Sequence, residues 1–74
     1  MTKLSKLPDN LQTYIVSELE YQSSVIDDKG NIEVCLNDDK LRSIARTINK
    51  KFCTTFSRND ILSFAEQYEK MINV

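Results

Sequence analysis

Asn37-Asp-Asp-Lys-Leu-Arg-Ser-Ile-Ala-Arg-Thr-Ile-Asn-Lys-Lys-Phe52 is the stretch that decides how this chain folds. Leu41, Ile44, Ala45, Ile48 and Phe52 recur at the three- and four-residue spacing of one helical face, which is what a helix needs to dock on a core. Arg42, Arg46 and Lys50 form an adjacent stripe. Asn37 is placed to cap the helix, with Asp38 and Asp39 in its first turn and Lys50 and Lys51 in its last, each suited to the helix dipole. Leu36 and Leu41 sit where a hydrophobic staple joins the entering chain to the helix. Start, stop and face agree on a helix over 38–52.

Beyond it, Cys53-Thr54-Thr55 breaks the pattern and Phe56-Ser57-Arg58-Asn59-Asp60-Ile61 opens another helix. Ser57 is its N-cap, Asp60 the reciprocal partner of a capping box, and Phe56 with Ile61 a staple. Ile61, Phe64, Ala65, Tyr68, Met71 and Ile72 make the apolar face. The two helices should pack as an αα unit.

Before the deciding helix, residues 23–36 read as a hairpin. Ser24-Val25-Ile26 leads into a turn over Asp27-Asp28-Lys29-Gly30, and Asn31 to Leu36 returns. Ile32, Val34 and Leu36 alternate with Glu33 and Cys35, the period of a half-buried strand. Gly30 is the single glycine and falls where a type I turn with a bulge needs positive φ. An EF-hand alignment through Gly30 would put Val25 and Leu36 at the first and last ligand positions, so calcium is not expected. Further upstream, Leu11, Tyr14, Ile15 and Leu19 give a first helix that opens near Pro8-Asp9, with Asp9 as cap and Gln12 as its reciprocal partner. Leu7-Pro8, Leu11, Ile15 and Leu19 resemble the opening of an F-box over residues 7–19, but the chain beyond Leu19 lacks the rest of that pattern. Residues 1–6 read as a flexible start. The fold expected is α+β: a small, mostly helical single domain over 1–74, in the order helix, β-hairpin, helix, helix.

A chain of 74 residues hides only roughly 60% of the surface its unfolded form exposes, and domains of this size often need a disulfide, a metal or a partner subunit. There is no His, and Cys35 and Cys53 have no Cys-x-x-Cys spacing, so neither a metal nor a cofactor is expected. With no signal peptide the chain reads as reduced and cytoplasmic, and no apolar run suits a membrane span. A homodimer is the remaining means of stabilisation. Val16, Tyr21 and Phe64 exceed what a narrow stripe buries and are the subunit contact expected.

The net charge of −1 hides an asymmetry. Residues 1–39 carry Asp9, Glu18, Glu20, Asp27, Asp28, Glu33, Asp38 and Asp39 against Lys3, Lys6 and Lys29, a net −5. Residues 40–74 carry Lys40, Arg42, Arg46, Lys50, Lys51, Arg58 and Lys70 against Asp60, Glu66 and Glu69, a net +4. Either the halves neutralise each other locally, or one of them is a working face.

Catalysis is not expected. No His moves protons, no Gly-rich loop cradles phosphate, and neither Cys sits in a motif that would activate it as a nucleophile. Two binding roles remain. In the first, a strand at 32–36 followed by two helices resembles the ribbon-helix-helix repressors over residues 31–72. The resemblance implies a dimer whose strands enter the major groove, although the outward strand residues that would read bases are Glu33 and Cys35, and a carboxylate is repelled among phosphates. A helix-turn-helix reading of the same helices would set Arg42, Arg46, Lys50 and Lys51 on phosphates.

In the second, preferred, reading the chain binds protein. In size and charge layout it is similar to the early proteins that phages make to disable host machinery, among them the dimeric phage inhibitors of the bacterial DNA sliding clamp. That resemblance implies an inhibitor of a host replication or transcription protein that occupies a basic DNA channel. The acidic half, through Glu18, Glu20, Asp27, Asp28 and Glu33, is the surface to do so, because carboxylates on a rigid element can stand in for phosphates and steer association. Gln22-Ser23-Ser24-Val25-Ile26 also resembles the Gln-x-x-aliphatic peptide that binds clamps, without its aromatic residue. No small-molecule ligand is expected.

Overall fold

Capping chemistry sets where the helices begin, and a buried stripe sets how they pack. A computed structural model describes residues 3–73. They form a short 3₁₀ turn (Leu4–Lys6), α1 (Asp9–Tyr21), β1 (Ser23–Val25), β2 (Ile32–Val34), α2 (Asp38–Phe52) and α3 (Arg58–Ile72). This is the small α+β domain that the residue pattern predicts. The Asn37 side chain accepts from the Lys40 N–H at 2.8 Å, and the Ser57–Asp60 capping box closes in both directions.

β1 and β2 pair antiparallel, with Ser23 opposite Val34, Ser24 opposite Glu33 and Val25 opposite Ile32. Gly30 takes φ +83° at the end of the turn, the left-handed conformation its missing Cβ permits. The helices lay Leu11, Ile15 and Leu19 of α1, Leu41, Ile44, Ala45 and Ile48 of α2, and Ile61, Phe64, Ala65 and Tyr68 of α3 into one core. Val34 adds the hairpin to it. Burial of a large aliphatic or aromatic side chain stabilises by about 1.5–3 kcal/mol, so this cluster supplies most of what holds the chain together.

Four expectations are corrected. Leu4, read as part of a flexible start, is 2% exposed, and its N–H donates to Gln67 Oε1 at 2.8 Å, which fastens the amino-terminal end to α3; Met1 and Thr2 lie outside the described residues. Pro8 rather than Asp9 occupies the cap of α1. Its ring fixes φ at −54° and its carbonyl takes the Gln12 N–H at 2.8 Å, so Asp9 becomes the first helical residue and serves the dipole instead. The strands are shorter than the residue pattern suggests, and β1 begins one position earlier, at Ser23. Phe64, expected at a subunit contact, is 0% exposed, because it sits between Ile61 and Tyr68 at the centre of the buried stripe of α3.

Candidate functional site

The acidic residues do not form one uniform face. Glu18 is half-buried in a groove of about 230 Å³ between α1 and α2, beside Tyr14, Gln22 and Lys40. Glu20, two residues on, turns to the opposite side of α1. There it lines a groove of about 310 Å³ with Ser23, Val25, Ile32 and Tyr68, and a neighbouring one with Val16 and Met71. Asp28 and Glu33 are exposed on the hairpin. Asp27 is exposed as well, but its carboxylate is engaged: Oδ1 accepts from the N–H groups of Lys29 (3.0 Å) and Asn31 (3.1 Å), and Oδ2 accepts from Asn31 Nδ2 at 2.7 Å. Those bonds, the Asn31 side chain foremost, stabilise the charged form and hold the Asp27 carboxyl below its ordinary range.

Apolar groups stand beside these carboxylates. Tyr21 is 82% exposed, Val25 65% and Ile26 57%, so the hairpin end of the molecule is acidic and apolar at once. The adjacent Val25-Ile26 pair before a turn was the visible signal for this, and it reads equally well as strand interior. What had no sequence signal is the way the sheet is finished. Asn73 at the end of α3 donates from Nδ2 to the Ile32 carbonyl (2.7 Å) and accepts from the Ile32 N–H (2.9 Å), while Glu69 Oε1 accepts from the Val34 N–H (2.9 Å). Side chains of α3 therefore occupy the outer edge of β2. A ribbon-helix-helix dimer would need that strand free for its partner copy, and here β1 and α3 hold both its edges.

The basic residues lie elsewhere. Arg42, Arg46 and Lys50 are exposed along α2, and Arg46, Thr47, Lys50 and Lys51 line a broad depression of about 620 Å³. Lys51 Nζ sits 4.7 Å from the centre of the Tyr14 ring, a cation–π contact that directs the ammonium across to α1. As a helix-turn-helix, the pair would read bases with α3, whose exposed positions include Glu66 beside Asn59 and Leu62.

Close ionic contact between the two charged halves is, among the described residues, confined to one place. Among the described residues the ion pair is Arg58 with Asp38 at 2.6 Å, partly exposed on both sides and therefore worth little. Gln22 accepts from Lys40 Nζ at 2.9 Å, and the next three residues are strand, so the clamp-peptide resemblance falls on an anchored element and not on a free extended tail. Cys35 and Cys53 are both free and exposed. Among the described residues no helix is long and apolar enough to cross a membrane, and no group of His, Cys, Asp and Glu is placed to hold a metal. No protein-family model matches the chain, and comparison with curated proteins and with solved structures returns no match.

Proposed function

We propose that the chain is a non-catalytic, protein-binding inhibitor of the kind phages direct at host DNA replication or transcription machinery in the cytoplasm. It occupies a DNA-binding surface, with the channel of the sliding clamp as the specific target. One observation carries the reading: exposed carboxylates that make no ion pair with a described residue (Glu20, Asp28 and Glu33) share the hairpin end with exposed Tyr21, Val25 and Ile26. Carboxylates alone would steer a basic partner without holding it, and apolar groups alone would not discriminate. Together they supply long-range attraction and short-range burial. Glu18 and Asp27 add charge to the same field while serving the α1–α2 groove and the turn.

The test is titration of purified bacterial sliding clamp with the labelled protein and with a variant carrying Glu20→Lys, Asp28→Lys and Glu33→Lys. Binding should weaken with salt, and the triple variant should bind at least about tenfold more weakly with its helix content unchanged. Equal binding by the variant removes the reading. The exposed stripe of Arg42, Arg46, Lys50 and Lys51 supports a second reading, a small DNA-binding regulator. Anisotropy of a labelled random duplex at about 50 and about 200 mM salt separates the two, because several phosphate contacts produce a steep loss of affinity over that range. Strong, salt-sensitive duplex binding with no clamp binding would move the function to α2.

A further inference from the structure

The two edges of the hairpin are finished differently. Ile26 N–H reaches the Asn31 carbonyl at 2.9 Å, and Cys35 N–H reaches the Gln22 carbonyl at 2.9 Å. Ser24 and Glu33, midway between these bonds, therefore face each other as the hydrogen-bonded pair. Alternation turns the backbone groups of Ile32 and Val34 away from β1, and there Asn73 and Glu69 receive them. The same alternation turns the backbone groups of Ser23 and Val25 away from β2, and on that side no described residue meets them.

An open strand edge is a template for another strand. Here one edge is closed by side chains and the other is left bare beside an apolar groove, so the sheet can grow in one direction only. The groove next to the bare edge is lined by Val25, Ile32 and Tyr68, with Glu20 at its margin, and Glu33 stands on the opposite face across from Ser24. An incoming strand would alternate its side chains between those two environments. One face offers an aliphatic contact near the Glu20 carboxylate, and the other offers Ser24 and exposed Ile26, with the Glu33 carboxylate one strand further in. A second copy of this chain would bring to that edge the strand Ser23-Ser24-Val25, which carries no cation to meet Glu20. A segment bearing Lys or Arg would meet it with complementary charge.

We propose that β1 accepts an extended, Lys- or Arg-bearing segment of the protein partner as a third strand, through the N–H and C=O groups of Ser23 and Val25. This rests on the protein-binding reading above and adds the mode of docking.

The probe is a capped Lys-Val-Lys-Val-Lys peptide, with Glu-Val-Glu-Val-Glu as its charge-reversed control, followed by amide hydrogen exchange of the intact protein. The basic peptide should slow exchange at the Ser23 and Val25 amides about tenfold, and the acidic one should leave them unchanged. Val25→Pro deletes the outward donor without touching the bonds made by Ser24 or Ile26, and should cost about tenfold in peptide affinity while Ile26 and Cys35 stay protected.

Three results of the peptide measurements would overturn the proposal. The first is no binding at millimolar peptide, and the second is peptide binding that leaves the Ser23 and Val25 amides unprotected. The third is protection of those amides that rises with protein concentration and no peptide, which would assign the edge to a second copy. If Val25→Pro still binds the clamp while the triple charge reversal does not, strand addition fails and the inhibitor reading stands. If the triple variant binds normally, the inhibitor reading itself has failed.

Discussion

The chain reverses direction twice around a single short polar side chain. At the corner between α2 and α3, Asn49 Oδ1 accepts from Thr54 Oγ1 (2.7 Å) and from the Phe56 N–H (2.8 Å), and its Nδ2 donates to the Phe56 carbonyl (2.8 Å). In the hairpin, Asp27 accepts from the Lys29 N–H, the Asn31 N–H and the Asn31 side chain. Each turn also holds one residue in the left-handed region, Cys53 at φ +55° and Gly30 at φ +83°. The difference lies in solvent. Asn49 is half-buried next to Ile48, with the Phe56 ring set edge-on to Phe64 at 5.3 Å, whereas Asp27 is fully exposed. Three bonds shielded from water fix two helices; three bonds in water shape a tip and leave it presentable to a partner.

If shielding is what separates the two turns, removing the central side chain at the corner must be the costlier change. Asn49→Ala deletes three partly buried hydrogen bonds and strands the Phe56 N–H, and should destabilise by about 2–4 kcal/mol in urea unfolding at unchanged m-value. A loss below about 1 kcal/mol would mean that Phe56 and Phe64 hold the corner and that Asn49 is incidental.

A smaller effect of opposite sign is expected at Cys53. Its N–H closes α2 on the Asn49 carbonyl while an L-residue sits in the conformation that Gly30 adopts freely in the hairpin. Cys53→Gly should stabilise by about 0.5–1 kcal/mol, the relieved backbone strain less the extra chain entropy of glycine. Destabilisation by this change would show that the Cys53 side chain contributes packing that outweighs the strain.

Most of the helical scaffold was legible because it is written in short-range terms. Asn37, the Ser57–Asp60 box and the stripe from Leu41 to Ile48 each act within a few residues, and periodicity reports them directly. Gly30 announced its turn for the same reason. What escaped depends on groups far apart in sequence: Leu4 on Gln67, Val34 on Glu69 and Ile32 on Asn73. Nothing local marks a leucine four residues ahead of a proline as core, or an asparagine at a helix end as the cap of a strand edge. Phe64 was misplaced because a stripe read from spacing alone does not reveal its own width. The candidate surface was half legible: its carboxylates could be counted, but the opposite headings of Glu18 and Glu20 and the engagement of Asp27 are properties of the fold.

The smallest effect expected is also the one that most cleanly isolates the exposed turn. The charged Asp27 carboxylate is stabilised by the Asn31 side chain, then by the Asn31 and Lys29 N–H groups, so its pKa in the folded chain lies below the ordinary 3.8. A depressed folded value means that this contribution is fully present above the ordinary value and fades as pH falls through the folded one. The amides of Lys29 and Asn31 should therefore shift together in an NMR titration with a midpoint below 3.8, while the Phe56 amide, bonded to an Asn49 that carries no titratable proton, stays still. Asp27→Asn should abolish that titration at Lys29 and Asn31. Movement of Phe56 in step with them would show that the tip and the corner melt as one unit, and the separation between a fixing turn and a displaying turn would collapse.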